Sequence, residues 1–86
     1  MSLEIEHHPE DGCFRTQVDG HECVLKYRRE GSTACMDHVG VPAPVEGRGI
    51  ASALAGAAVA WARSEGLEVV ARCPYVAAWM QRHPDA

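Results

Sequence analysis

Several residues in this chain are of types, and at spacings, that do chemistry. Within Pro44-Val45-Glu46-Gly47-Arg48-Gly49-Ile50-Ala51, two glycines flank an arginine directly before an alanine-rich stretch. Backbone N–H groups can crowd together there without side chains between them. Those of a first helical turn have no intrahelical partner and carry the positive end of the helix dipole. This arrangement binds anions, phosphates in particular. Since no P-loop lysine follows the glycines, nucleotide-phosphate binding of that kind is the weaker reading.

Cys73 precedes Pro74 at the expected start of a second helix. A thiol at a helix N-terminus can act as a nucleophile that carries an acyl group, or it can be a small residue packed beside a ligand. His38 has a ring suited to accepting a proton near neutrality, and it can equally be an imidazole bonded across a sheet. Tyr75 can donate a proton to a leaving group or pack as an aromatic. Trp61 and Trp79 read as core, and His83 as a cation partner for a helix C-terminus. Cys13, Cys23 and Cys35 read as strand residues, and His7-His8 as part of a solvated terminus.

The elements that must position these residues follow from pattern. Phe14 to Val18 alternates and leads into Asp19-Gly20, a two-residue hairpin signal. Cys23 to Arg29 reads as the next strand, with Cys23, Leu25 and Tyr27 on one face. Glu30-Gly31-Ser32 turns into a third strand, Thr33 to Val41, where alternation places His38 with Met36 and Gly40. Pro42 and Pro44 end that strand. A helix runs from about Gly49 to about Glu65, buried through Ile50, Leu54, Ala57, Ala58 and Trp61, with Gly66 as its cap. Gly56 inside it is tolerated if the helix approaches the sheet closely. Leu67 to Ala71 is a strand parallel to the third, reached by a right-handed crossover. A closing helix runs from Pro74 to about His83. In the order β-β-β-α-β-α, ligands gather beyond the carboxyl ends of the parallel pair, where Pro42–Gly49 and Arg72–Tyr75 converge.

Composition narrows the function classes. The chain has 86 residues, 47% of them hydrophobic and 23% charged, with net charge −4. That suits one compact domain spanning 1–86, and the lack of clustered Lys and Arg argues against nucleic acid as a partner. No run approaches the ~20 apolar residues of a membrane span, and no secretory signal opens the chain. The four cysteines show no metal-ligand or paired spacing, so reduced thiols and a cytoplasmic setting are expected, with no metal.

Taken in order, His38-Val39-Gly40-Val41-Pro42, Glu46-Gly47-Arg48-Gly49-Ile50-Ala51, Cys73-Pro74-Tyr75-Val76-Ala77-Ala78-Trp79 and Arg82-His83-Pro84 resemble the small GNAT-like N-acetyltransferases of the YjdJ type. The Asp19-Gly20 turn and Tyr27-Arg28 match their N-terminal half. The resemblance implies a minimal α/β acetyltransferase fold, an antiparallel meander plus a parallel strand pair flanking a wedge for acetyl-coenzyme A. It implies a pyrophosphate turn at Gly47, Arg48, Gly49, Ile50 and Ala51, with Val41, Val45 and Cys73 also on the cofactor side. Catalytic candidates are then Cys73, His38 and Tyr75. Two positions depart from the pattern. Pro44 stands where larger relatives carry Gln or Arg, leaving more of the binding to the backbone. Gly40 stands where relatives commonly carry a glutamate suited to be the general base.

The resulting expectation is an acetyl-coenzyme A-dependent N-acetyltransferase acting on a primary amine, as a monomer or weak homodimer. Its alternative is a non-catalytic acyl-coenzyme A binding module.

Overall fold

The computed structural model describes residues 3–84. Strands β1 (Glu6–His8), β2 (Cys13–Val18), β3 (His21–Glu30) and β4 (Thr33–Gly40) are followed by a short 3-10 turn at Ala43–Val45. Helix α1 (Ile50–Ser64), strand β5 (Glu68–Ala71) and helix α2 (Pro74–Arg82) complete the order. The five strands form one sheet in the order β1-β2-β3-β4-β5. The β4–β5 pair is parallel, as the crossover through α1 requires, and the other neighbours are antiparallel.

Local chemistry explains the meander. Asp19 and Gly20 have φ of 51° and 78°, and a two-residue turn with both central residues at positive φ matches the twist of the strands it joins. Cys23, Leu25 and Tyr27 are buried on one face of β3 while Glu22, Lys26 and Arg28 are exposed, the alternation of a sheet covered on one side. That cover is α1, packed against β2, β3, β4 and β5, with α2 packed against α1, β4 and β5. Leu25, Met36, Val45, Leu54, Val59 and Val76 are the large side chains wholly enclosed between the layers. Truncating one of the leucines to alanine should cost ~2–5 kcal/mol.

The structure differs from expectation in three places. The N-terminal segment is not simply solvated, because Glu6–His8 adds a strand to β2. The His7 ring stacks on Phe14 (centroids 4.1 Å apart, planes 2° apart), and its Nε2 shares a 2.6 Å hydrogen bond with the Tyr27 hydroxyl. Phe14, Tyr27 and Trp61 form an aromatic cluster at the margin of α1 that β1 covers. The buried stripe of α1 is Ile50, Leu54, Ala55, Ala58, Val59 and Ala62, with Ala57 and Trp61 only half-buried at its border. A broad sheet takes a wider stripe than a narrow seam, and Trp61 belongs to the β1 cluster instead. Gly56 serves the second helix, not the sheet: a Cβ there would lie 3.4 Å from the Trp79 ring.

No helix among the described residues is long and apolar enough to cross a membrane.

Candidate functional site

The parallel ladder starts at Thr33↔Glu68 and ends at Met36↔Ala71. Its last bonds converge, since the N–H groups of Arg72 (2.9 Å) and Cys73 (3.0 Å) both donate to the Met36 carbonyl. Beyond that point β4 continues through Gly40, while the chain after β5 turns away into α2. The two strands therefore part, and a wedge opens between Asp37–Gly40 and Cys73–Tyr75.

A bulge shapes the β4 side of this wedge. Lys26 pairs with His38 but the next residue, Tyr27, pairs with Met36, so Asp37 is the extra residue on β4. Arg28 holds it in place, its Nε donating to Asp37 Oδ2 at 2.7 Å and its Nη2 to Oδ1 at 3.4 Å. These bonds hold the Asp37 carboxyl below the usual carboxylate range. The bulge also resets the alternation. Met36 is fully buried, His38 opposite exposed Lys26 is exposed, and Val39 opposite buried Leu25 packs on the core. His38 thus shares a face with Gly40 but not with Met36, and it is not a buried imidazole.

The glycine turn ends the connection from β4 to α1. Gly47 and Gly49 have φ of 78° and 77°, the left-handed region in which glycine is the least strained residue. A Cβ added at either would meet nothing within 4 Å, so the space beside both glycines is open. Gly49 is the N-cap of α1 and supplies no side-chain cap to its first amides. Those donors are free for an anion.

A family model described as GCN5-related N-acetyl-transferase matches residues 13–86. The chain belongs to the GCN5-related N-acetyltransferases. It is also similar, at 25% identity and a TM-score of 0.73, to the NMR solution structure of a GCN5-like putative N-acetyltransferase from Staphylococcus aureus. That likeness covers 94% of this chain and 80% of the other. No curated protein matches the chain. The chemistry of the family is acyl transfer.

In this GCN5-related N-acetyltransferase, the residues singled out from sequence fall at two neighbouring places. Gly47, Arg48, Gly49 and Ala51 lie in the turn and first helical positions, and Val41 is half-buried just past β4. Val45 and Ile50 flank the turn with their side chains turned inward. At 1% and 2% exposed they are core residues, so only their backbone faces the turn. The 3-10 turn that Pro42 opens drives Val45 inward. Arg48 does not project freely either, since its Nη1 donates to Asp19 Oδ2 at 2.6 Å across the β2–β3 turn.

Cys73 and Tyr75 lie at the start of α2, half-buried and packed on the core. Cys73 is the N-cap, its sulfur makes no cap bond, and it is a free thiol like Cys13, Cys23 and Cys35. Trp79 fixes this helix by donating from Nε1 to Ser52 Oγ at 2.9 Å. His83 caps α2, its ring stacked on Trp79 and its Nδ1 2.9 Å from the Trp79 carbonyl. Cys73 and His38 each stand two residues past the last ladder pair, yet Cys73 packs toward the helices and His38 lies on the uncovered face. They flank the wedge from opposite sides of the sheet.

Sequence reasoning gave no site role to the Arg28–Asp37 pair at the bulge, to Asp19 on Arg48 or to Ser52 on Trp79. A Lys26-Tyr27-Arg28 strand facing Asp37-His38 carries the complementary charges, but no local signal announces the bulge. At the opposite edge of the sheet, half-buried His8 and exposed Glu10 and Asp11 have ligand-type atoms within 4.8 Å of one another. His8 there lies 3.1 Å from Glu6 and 3.5 Å from Glu10.

Proposed function

We propose that the protein transfers an acetyl group from acetyl-coenzyme A to a primary amine, on a small molecule or a protein lysine. The observation that carries this reading is the wedge between β4 and β5, with an open glycine turn at its head. The residues present fit the donor. Gly47, Gly49 and the first amides of α1 would receive its pyrophosphate, and the wedge is the place for its extended thioester arm. Bound there, the coenzyme supplies an acetyl group already activated as a thioester.

The chain's own residues then have distinct tasks. A backbone N–H on β4 near the bulge would polarise the thioester carbonyl, as an oxyanion-type donor does. His38, exposed beside Gly40, would take the proton of the attacking amine. Tyr75 and Cys73 would flank the departing thiolate, with Tyr75 as proton donor. Direct attack by the amine is preferred to an acetyl-Cys73 intermediate, because His38 and Cys73 lie on opposite sides of the wedge. The four unpaired cysteines suit a reducing, cytoplasmic setting. A monomer or weak homodimer would leave the outer sheet face open to an acceptor amine.

The second reading, an acyl-coenzyme A binding module without turnover, draws on Gly40, which supplies no carboxylate beside the wedge. Mass spectrometry of the protein with acetyl-coenzyme A, alone and with a panel of amines and lysine peptides, separates the two. Acetylated amine is the expected product. Binding of acetyl-coenzyme A with no product from any amine would favour the module.

A further inference from the structure

The bulge on β4 changes which residue faces Lys26. The ladder that runs from Glu30↔Thr33 to Tyr27↔Met36 would, if unbroken, set Lys26 against Asp37. With Asp37 as the extra residue, Lys26 pairs with His38 instead. Arg28 takes the Asp37 carboxylate, at 2.7 and 3.4 Å. The ion pairs among the described residues involve His8, Arg15, Arg28, Arg29 and Arg48, and Lys26 joins none of them. Lys26 is also the single lysine of the sequence. Lys26 and His38 are both exposed on the uncovered face of the sheet, where directly paired residues have Cβ atoms ~4.5–5.5 Å apart.

Given the transfer reading above, we propose that Lys26 is a self-acetylation site, its Nζ acetylated by the coenzyme bound in the wedge of the same molecule, with His38 as the base. Only β4 separates Lys26 from the wedge, one strand spacing of ~4.7–4.9 Å. The flexible four-carbon stem of a lysine crosses that distance. With no carboxylate partner to hold it, the side chain is free to swing toward the wedge.

In the step, neutral Nζ attacks the carbonyl carbon of the thioester. A C–N bond forms, the C–S bond breaks, and the sulfur leaves with the electron pair as a thiolate. His38 takes the proton that the nitrogen loses, and Tyr75 or solvent protonates the thiolate. The products are an acetamide on Lys26 and free coenzyme A, with no change of oxidation state. The modification removes a cation from beside His38.

Mass spectrometry of the full chain with acetyl-coenzyme A tests the site, with peptide mapping to separate Lys26 from the N-terminal amine. Lys26 should gain one acetyl group with a half-time independent of protein concentration. An excess of free coenzyme A should slow the gain by competing for the wedge. His38→Gln, at an exposed position and checked for folding by its melting temperature, should slow it about 100-fold, the lower end of what a general base contributes. Unfolding in urea should slow it at least as much. Equal rates in the folded and urea-unfolded chains would reveal chemical acetylation alone and overturn the site. So would an unchanged rate in His38→Gln, or a half-time that shortens in proportion to protein concentration. Acetylation of added amines with Lys26 left unmodified would overturn self-acetylation and leave the transfer reading standing. Acetylation of neither, with acetyl-coenzyme A bound, would overturn both.

Discussion

The Nε2 atom of His38 lies 3.1 Å from the point where a Cβ on Gly40 would stand. The imidazole therefore folds over the position from which a residue-40 side chain would project. The Val24 side chain closes the same space at 3.7 Å. Because the bulge at Asp37 turns both residues to the uncovered face, imidazole and missing side chain compete for one place beside the wedge.

Gly40→Glu should consequently move the base role rather than add a second base. His38 is exposed and can swing aside, so stability should change by less than about 1 kcal/mol. Amine acetylation should rise, by up to the ~100- to 10,000-fold that a well-placed general base contributes. The acidic limb of the pH–rate profile should move to lower pH, since carboxylic acids ionise well below imidazoles. A limb that stays put in Gly40→Glu and in His38→Gln would show that neither residue takes the proton.

Coenzyme A should raise the melting temperature of the wild-type protein by mass action. Gly49→Val should abolish that rise, because a branched side chain would enter the open side of the turn and is strained at φ 77°. Gly49→Ala carries a smaller strain, about 1–2 kcal/mol, and should keep the fold with weakened binding. Equal coenzyme affinity in wild type and both folded variants would remove the turn from the binding site.

Alkylation under native conditions should modify Cys73 first. Cys13, Cys23 and Cys35 are 2%, 0% and 5% exposed, whereas Cys73 is half-buried at the mouth of the wedge. Saturating coenzyme A should protect Cys73 and leave the others unaffected. Cys73→Ser should bind coenzyme A and lose less than about tenfold in turnover, under 1.4 kcal/mol of barrier. A far larger loss, together with an acetylated Cys73 in wild type, would establish the covalent route.

Stability should fall as the solution is acidified below pH 6.5. Burial against Phe14, Tyr27 and Trp61 is the main cause that lowers the His7 pKa from 6.5, aided by His8 and opposed by Glu10 and Glu65. The unfolded chain thus binds the proton more readily than the folded one. The contribution of His7 is complete above the unfolded value and is lost as pH drops from there through the lower folded value. Denaturation followed by tryptophan fluorescence between pH 7.5 and 5 should show this slope. It should flatten in His7→Phe, which keeps the stacking without the titration. An identical slope in both proteins would assign the acid sensitivity elsewhere.

Much of this protein is settled by local sequence. Asp19-Gly20 dictates a tight hairpin, Pro42 and Pro44 stop a strand, and Gly47 and Gly49 permit a turn at positive φ. The alanine-rich helix and the strand after Gly66 then force a parallel pair, and with it the wedge. Each of these follows from backbone sterics and spacing within a few residues.

What the tertiary structure decided depends on partners far apart in the chain. His7 finds Phe14, Tyr27 and Trp61 only once α1 has packed, so Glu6–His8 becomes a strand that its own residues do not announce. Arg28 reaches Asp37 across β3 and β4, and the bulge between them moves His38 from the core face to the open one. Period-two alternation could not reveal that change, because one inserted residue reverses every side chain after it. Asp19 meets Arg48 over a separation of 29 residues. Composition and spacing place the chemical groups along the chain, but only packing decides which side of the sheet each one faces.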